Sequence, residues 1–209
     1  MTPDLPGHGE SSEISADLDA TAHLVREIGT PEPFFLGGYS MGGRVALHVA
    51  LENPDAVRAL VVLSATRGIA TPNDRRNRIQ EDEQRAQHIE AVGVEHFLDE
   101  WLAGPLFTSL PHDPGERRTR SANGAGIADS LRRCGTGTQR FLGDELAALT
   151  MPVLLIAGAN DEKFAGEALE MGLSLPDAHV ALIPDAGHAA HLEQPEAVGR
   201  IVLDFLASY

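Results

Sequence analysis

Eleven residues, Phe34-Phe35-Leu36-Gly37-Gly38-Tyr39-Ser40-Met41-Gly42-Gly43-Arg44, constrain this chain more than any other stretch. A short apolar run enters a glycine-rich turn, and an apolar helical segment, Val45 to Leu51, leaves it. Within the turn, Gly38-Tyr39-Ser40-Met41-Gly42 matches G-x-S-x-G, a strand-to-helix elbow that holds a serine hydroxyl out above a sheet. The serine backbone of such an elbow is forced into a conformation that L-residues avoid. Side chains two positions to either side are expected to collide across so tight a turn. The motif therefore dictates a strand before it and a helix after it, with the Ser40 hydroxyl as the candidate reactive group.

The rest of the chain alternates in the same way. Leu18, Ala22, Val25 and Ile28 recur at helical spacing from Ala16 to Ile28, with Ser15 as the expected N-cap and Gly29 as the stop. Phe34 to Gly38 is the strand before the elbow, and the helix after it ends near Asn53-Pro54. Ala59 to Ala65 is a continuous apolar run, the mark of a strand covered on both faces. Pro152 to Gly158 and His179 to Pro184 give two further strands, with a helix from about Ala165 between them. Ala197 to Ala207 closes the chain as an amphipathic helix with Val198, Ile201, Val202, Phe205 and Leu206 on one face. Strands alternating with helices build a mostly parallel sheet with helices on both faces.

That alternation pauses for residues 67–150, a stretch rich in Arg, Glu and Gln, with helical periodicity around Ala91 to Leu102. It is too long for an ordinary loop and reads as a helical cap inserted over the site. The expected organisation is thus a first part of the core over residues 1–66, the cap over 67–150, and the second part of the core over 151–209.

Composition narrows the function classes. A net charge of -15 argues against nucleic acid and against anionic membranes. A single cysteine, Cys134, excludes an internal disulfide and fits a reducing compartment. Without an apolar run of the ~18 residues a membrane span needs, or a signal peptide ahead of the first motif, the expected location is the cytoplasm.

A serine hydroxyl is inert at neutral pH unless a base takes its proton and a third group orients that base. In a sheet of this kind the partners should follow in the order Ser, Asp or Glu, His, each just beyond the C-terminal end of a strand. Asp161 occupies that place after Val153–Gly158, and His188 after Val180–Ile183. Asp185 is the competing acid, but its side chain is expected to serve the turn. His191 is expected to begin the last helix, and His48 to be a core residue. The backbone N–H of Met41, the residue after the serine, is one expected oxyanion donor; the other belongs to a loop after an earlier strand.

Order, elbow and insertion together resemble the α/β-hydrolase fold. Asp4-Leu5-Pro6-Gly7-His8-Gly9 resembles the loop after that fold's fourth strand. Further motifs narrow the resemblance: Gly38 to Arg44, Arg78 four residues before Asp82, Phe97 to Trp101, and Pro105-Leu106-Phe107. Arg120-Ser121 with Asn123, Gly135-Thr136-Gly137, Gly158 to Phe164, and Gly187 to His191 with Glu193 and Pro195 complete the set. Together they are similar to the 2-succinyl-6-hydroxy-2,4-cyclohexadiene-1-carboxylate synthase family of menaquinone biosynthesis.

That resemblance implies a lyase. Ser40, polarised by His188 and Asp161, would remove a ring proton next to a succinyl carbonyl, and the enolpyruvyl group would leave as pyruvate without a covalent enzyme intermediate. The implied partner is a small-molecule tricarboxylate; no cofactor and no metal are implied, and the chain is expected as a monomer or weak homo-oligomer. Arginine grips carboxylates by paired hydrogen bonds, which makes Arg44, Arg78 and Arg120 the expected substrate ligands, with Tyr39 and Trp101 lining the pocket. Arg75, Arg76, Arg85, Arg117 and Arg118 lie close by, so a register one turn away stays open in the cap.

Members of that family carry further strands ahead of the residue matching Asp4, so the expected sheet lacks its N-terminal strands and leaves Phe34–Gly38 at an exposed edge. The expected oxyanion hole keeps one donor of two, with weak or no activity if nothing precedes Met1. Two other readings stand beside the lyase. One is an ester or C–C bond hydrolase with Ser40 as a true nucleophile. The other is an inactive truncated homologue that survives as a binding module.

Overall fold

The computed structural model describes residues 1–30, 32–110 and 123–209. Its elements are α1 (Leu18–Ile28), β1 (Phe34–Tyr39), α2 (Met41–Glu52), β2 (Val57–Leu63), α3 (Pro72–Val92), α4 (Val94–Leu102), α5 (Gly124–Cys134), β3 (Val153–Gly158), α6 (Glu162–Ser174), β4 (Ala178–Ile183), α7 (Ala190–Glu193) and α8 (Pro195–Leu206). Among the described residues no helix is long and apolar enough to cross a membrane. Contacts divide the chain into two units. A helical unit holds Met1–Thr21, Gly68–Gly104 and the described part of His112–Phe141; a sheet unit holds Ala22–Arg67, the described part of Pro105–Pro111, and Leu142–Tyr209.

Among the described residues the sheet unit is built on four parallel strands in the order β1-β2-β3-β4. Every residue of β3 is buried, because this central strand is apolar on both faces and helices cover both. Alternation assigns the faces. Leu154 and Ile156 join a core with Val198 and Phe205 of α8, whereas Leu155 and Val180 face Gly172 of α6 on the other side. Val62, paired with Leu155 in the register of β2 and β3, faces Gly43 of α2 on that second side. Burying a side chain such as Phe205 contributes about 1.5–3 kcal/mol, so α8 is held chiefly by its apolar stripe. β1 is an edge strand of this sheet, and Phe35 on it is 43% exposed.

The expected strands are all present, with shifted ends. β2 begins at Val57 rather than Ala59 and stops at Leu63, because Ser64 takes φ 47 and leaves the extended conformation. α6 begins at Glu162, ahead of the expected Ala165, since Asp161 caps it. α8 begins at Pro195, where proline's fixed φ suits the first helical position. His191 does not open that helix; it lies in the separate single turn α7. Ser15 is not the cap of α1. The Asp17 carboxylate accepts the Ala20 amide at 2.9 Å, while the Ser15 hydroxyl donates to Asp129 at 2.6 Å.

In the helical unit α3 packs on α4 and α5. The helix expected over Ala91 to Leu102 is broken at Gly93, whose φ of 82 lies in the left-handed region glycine tolerates. α3 starts at Pro72 behind Thr71, whose hydroxyl accepts the Asp74 amide at 3.3 Å. Buried Asp82 on α3 accepts from Arg78 Nε at 2.8 Å and Arg85 Nη1 at 3.0 Å on the same oxygen. Arg132 of α5 grips Glu83 and Glu90 of α3 with two bonds each, at 2.5–3.1 Å. The Glu90 and Glu83 hydrogen bonds hold the guanidinium above its ordinary pKa, and the Arg132 bonds hold both carboxyls below theirs. Burial pushes the Asp129 carboxyl up, but the bonds from Ser15 and Arg133 outweigh it and leave the group below its ordinary value.

Candidate active site

The end of β1 turns directly into α2, and the residue at the junction is Ser40, with φ 51 and ψ -110. Few non-glycine residues adopt a positive φ, and where one does the surrounding structure must hold it there. Here the Ser40 amide donates to the Leu63 carbonyl at 2.8 Å, and its own carbonyl accepts the Arg44 amide at 3.1 Å. The three glycines of the turn differ in their reasons. A Cβ on Gly38 would stand 2.2 Å from the Gly42 carbonyl oxygen, and one on Gly43 would stand 2.7 Å from Ala65 Cβ. A Cβ on Gly42 would meet nothing within 4 Å. The expected collision on both sides of the serine therefore holds at Gly38 and not at Gly42; the second steric requirement falls on Gly43, which packs against the strand beside it.

Parallel strands deliver the other two residues to the same edge of the sheet. Asp161 follows β3 and His188 follows β4, and the two loops approach closely at Gly158, where a Cβ would stand 2.1 Å from the Gly187 carbonyl oxygen. The Asn160 amide donates to the Ala186 carbonyl at 2.9 Å and ties the loops together. His188 Nδ1 lies 2.9 Å from Asp161 Oδ2, and His188 Nε2 lies 3.2 Å from Ser40 Oγ. An ionised carboxylate can only accept. In the neutral imidazole the proton therefore sits on Nδ1, leaving Nε2 to accept from the serine hydroxyl. His188 is 2% exposed and stands among the rings of Phe164, Tyr39 and Phe107, at centroid distances of 4.5, 5.3 and 5.9 Å. These rings leave the imidazole little freedom to turn. The assembly is chemically competent to draw a proton from Ser40, whether the oxygen then acts as nucleophile or as base.

The competing residues stand apart from this line. Asp185 is exposed, with φ 56, in the turn after β4. His48 is buried on α2. The His191 ring packs at 4.4 Å on the Tyr39 ring, so Tyr39 at the end of β1 lies beside two imidazoles. Met41 is the first residue of α2, which puts its amide at a helix N-terminus, where partial positive charge favours a developing oxyanion. Arg44 follows one turn later and is 8% exposed.

In the helical unit, Arg78 is held by its Nε on Asp82, and Arg85, also on Asp82, lies 5.6 Å above the Trp101 ring. Trp101 stacks on Phe97 at 5.8 Å. Of the neighbouring arginines, Arg75 donates to the Gly137 carbonyl at 3.3 Å and Arg76 to the Asn73 side chain. Arg120, with Arg117 and Arg118, lies outside the described residues. Phe107 and Phe164 beside His188 were not singled out as site residues from the sequence. For Phe164 the available signal was its place three residues after a capping aspartate.

Residues 1–201 match the model of a family described as the alpha/beta hydrolase family. A Bacillus subtilis (strain 168) protein provisionally named 2-succinyl-6-hydroxy-2,4-cyclohexadiene-1-carboxylate synthase is 41% identical over 98% of this chain and 77% of its own length. The synthase of that name from Pectobacterium atrosepticum is 37% identical over 98% of this chain and 82% of its own. Among solved structures, MenH from S. aureus superimposes with a TM-score of 0.91 at 33% identity, covering 98% of this chain and 82% of that one. A thermophilic esterase from Thermogutta terrifontis gives a TM-score of 0.77 at 27% identity over 99% of this chain and 78% of that one.

Proposed function

The chain belongs to the alpha/beta hydrolase family and, within it, to the 2-succinyl-6-hydroxy-2,4-cyclohexadiene-1-carboxylate synthases, and from that premise we propose that it is the menaquinone-pathway lyase whose Ser40, His188 and Asp161 together act as the base. The substrate would be an enolpyruvyl-bearing succinyl cyclohexene carboxylate. The observation that carries the reading is the continuous line from Asp161 Oδ2 through the His188 imidazole to Ser40 Oγ, with contacts of 2.9 and 3.2 Å.

In the proposed reaction, Ser40 Oγ takes the ring proton next to the succinyl carbonyl as its own proton moves to His188 Nε2. The electron pair left behind becomes an enolate, which the positive end of α2 at Met41 favours. The pair then returns to form a new ring double bond, the ring's existing double bond shifts by one position, and the carbon–oxygen bond to the enolpyruvyl group breaks. The departing enolate takes the proton held on His188 Nε2, which restores the neutral imidazole, and the resulting enol converts to pyruvate. Asp161 stabilises the transient imidazolium. The substrate's three carboxylates suit guanidinium forks, so Arg44, Arg78 and Arg120 are the proposed ligands, with Trp101 and Tyr39 as apolar lining.

The test is pyruvate release, followed by coupled reduction of the product, from purified protein and its Ser40→Ala variant. Release by the parent and its loss in the variant are expected. Activity within a few-fold of the parent would remove Ser40 from the chemistry.

One observation favours a second reading. A serine in a strained elbow at hydrogen-bond distance from an imidazole is also what a nucleophilic ester hydrolase needs. The two part on covalency. A burst of product from an activated ester, or an acyl group found on Ser40 during turnover of the pathway substrate, would favour hydrolysis.

A further inference from the structure

Both backbone amides that flank His188 end on one side chain. The Gly187 N–H donates to Glu193 Oε2 at 2.7 Å, and the Ala189 N–H donates to Glu193 Oε1 at 3.2 Å. We propose that Glu193 is the positioning residue of His188: its carboxylate fixes the backbone on either side of the imidazole and so sets where the ring stands. The proposal rests on the reading of Ser40, His188 and Asp161 given above and adds a residue to it.

Four observations support it. Gly187 and Ala189 are buried, so their amides need acceptors within the protein. They lie in the short stretch between the end of β4 at Ile183 and the start of α7 at Ala190, where no sheet ladder supplies acceptors. A carboxylate is acceptor-only and offers two oxygens, which matches two parallel donors, and charge-assisted bonds of this type are stronger than neutral ones. The backbone closes the same loop, since the Glu193 amide donates to the Ala189 carbonyl at 3.0 Å. Gly187 leaves room for the arrangement, since a side chain there would press on two neighbouring side chains. A Cβ there would stand 2.5 Å from Ser109 Oγ and 3.3 Å from the Glu193 carboxylate.

The consequence is geometric. The imidazole has to reach Asp161 and Ser40 at once, at 2.9 and 3.2 Å, so its Cα has little latitude. The rings of Phe164, Tyr39 and Phe107 restrict the imidazole itself, whereas Glu193 restricts the backbone it hangs from. A residue that only completed α7 would affect folding and leave this geometry alone.

The experiment uses the whole chain with Glu193→Ala, Glu193→Gln, His188→Ala and, as a neighbour making neither bond, Leu192→Ala. An alkyl fluorophosphonate reports the rate at which Ser40 is labelled, proton NMR reports the low-field Nδ1–H signal of His188, and circular dichroism reports the fold. Glu193→Ala should slow labelling on the order of 10²-fold, the scale of a misplaced catalytic group. It should weaken the low-field signal, and pyruvate release should show the loss in kcat with KM unchanged. Glu193→Gln keeps one acceptor oxygen and should lose roughly 10-fold; Leu192→Ala should match the parent. If Glu193→Ala folds and labels Ser40 at the parent rate while His188→Ala does not label, the positioning role is overturned and the triad stands. If Glu193→Ala fails to fold, Glu193→Gln decides, and parent-rate labelling there overturns the role equally. Labelling of His188→Ala at the parent rate would instead defeat the triad reading itself.

Discussion

Asp161 meets His188 with only one of its carboxylate oxygens. Oδ2 lies 2.9 Å from the imidazole Nδ1, while Oδ1 accepts the Phe164 amide at 3.3 Å and caps α6. One side chain thus serves the site and the helix that follows it, and the two duties can be separated by substitution. Asn caps a helix about as well as Asp but presents an amide that can donate toward Nδ1. Asp161→Asn should therefore keep its thermal midpoint while turnover falls by about 10⁴-fold, the loss expected when the imidazole tautomer is inverted. Asp161→Ala should lose turnover and also about 1 kcal/mol of stability with the cap. Turnover and thermal unfolding measured on both variants check this; turnover retained in Asp161→Asn would exclude the carboxylate from the chemistry.

The glycines of the elbow make a contrast that can be read by mutation. Gly38→Ala would drive a methyl to 2.2 Å from the backbone at Gly42, and Gly43→Ala to 2.7 Å from Ala65. Relieving either requires the strand or the helix to shift, at a cost of typically 1–3 kcal/mol. Either change should also displace the serine. Gly42→Ala meets open space, sits in a helix, and should be neutral or slightly stabilising. Thermal unfolding of the three variants distinguishes them. A Gly42→Ala variant as damaged as Gly38→Ala would mean that the turn is tighter than its geometry indicates.

The legible features were those with a local chemical signature. The elbow announces itself because a serine forced to a positive φ needs a glycine two residues before it, where a Cβ has no room, and Asp161 and His188 follow from strand ends that continuous apolar runs reveal. α3 was not legible. Over Pro72–Val92 it buries only Asp82, Ala86 and Ile89, too sparse a stripe to show among charged residues, and its true start lay in Thr71-Pro72-Asn73-Asp74. The break at Gly93 was hidden by periodicity that continues across it. Ser15 and Asp17 are both good caps by type, and what decides between them is that Asp129, distant in sequence, occupies Ser15. Glu193 could not be assigned a role because its partners are backbone amides, which carry no residue signature.

The clamp of Arg132 on Glu83 and Glu90 makes the protein's stability depend on acidity in a definite direction. Both carboxyls lie below their ordinary value of 4.5, held there first by the hydrogen bonds from Arg132. Groups whose pKa is lowered by folding contribute stability that is complete above the ordinary value and is lost as pH falls through the lowered one. Arg132→Ala should therefore lower the thermal midpoint at pH 7 by at most a few degrees, since these pairs are partly solvated. The gap between parent and variant should close as pH drops below about 4. Melting curves across that range check it. A gap that persists at low pH would show that Arg132 acts through packing of its aliphatic stem instead.

Arg44 stands one helical turn after Ser40, its amide bonded at 3.1 Å to the Ser40 carbonyl, and the residue is 8% exposed. The proposed function gives this deeply placed charge a duty beyond its contacts within the protein: a guanidinium fork able to take a substrate carboxylate. If that is its duty, Arg44→Ala should lower kcat/KM by at least ~10-fold, the scale of one lost charged hydrogen bond. Arg44→Lys should recover only part of the loss, because a point charge cannot reproduce the fork. Loss carried by KM would mark a contact made equally in the ground and transition states, whereas loss in kcat would mark one that strengthens as the enolate forms. Thermal unfolding separates this from a structural role. Removal of a purely structural ion would lower the midpoint and leave kcat/KM unchanged at temperatures below it, and that result would take Arg44 out of the site.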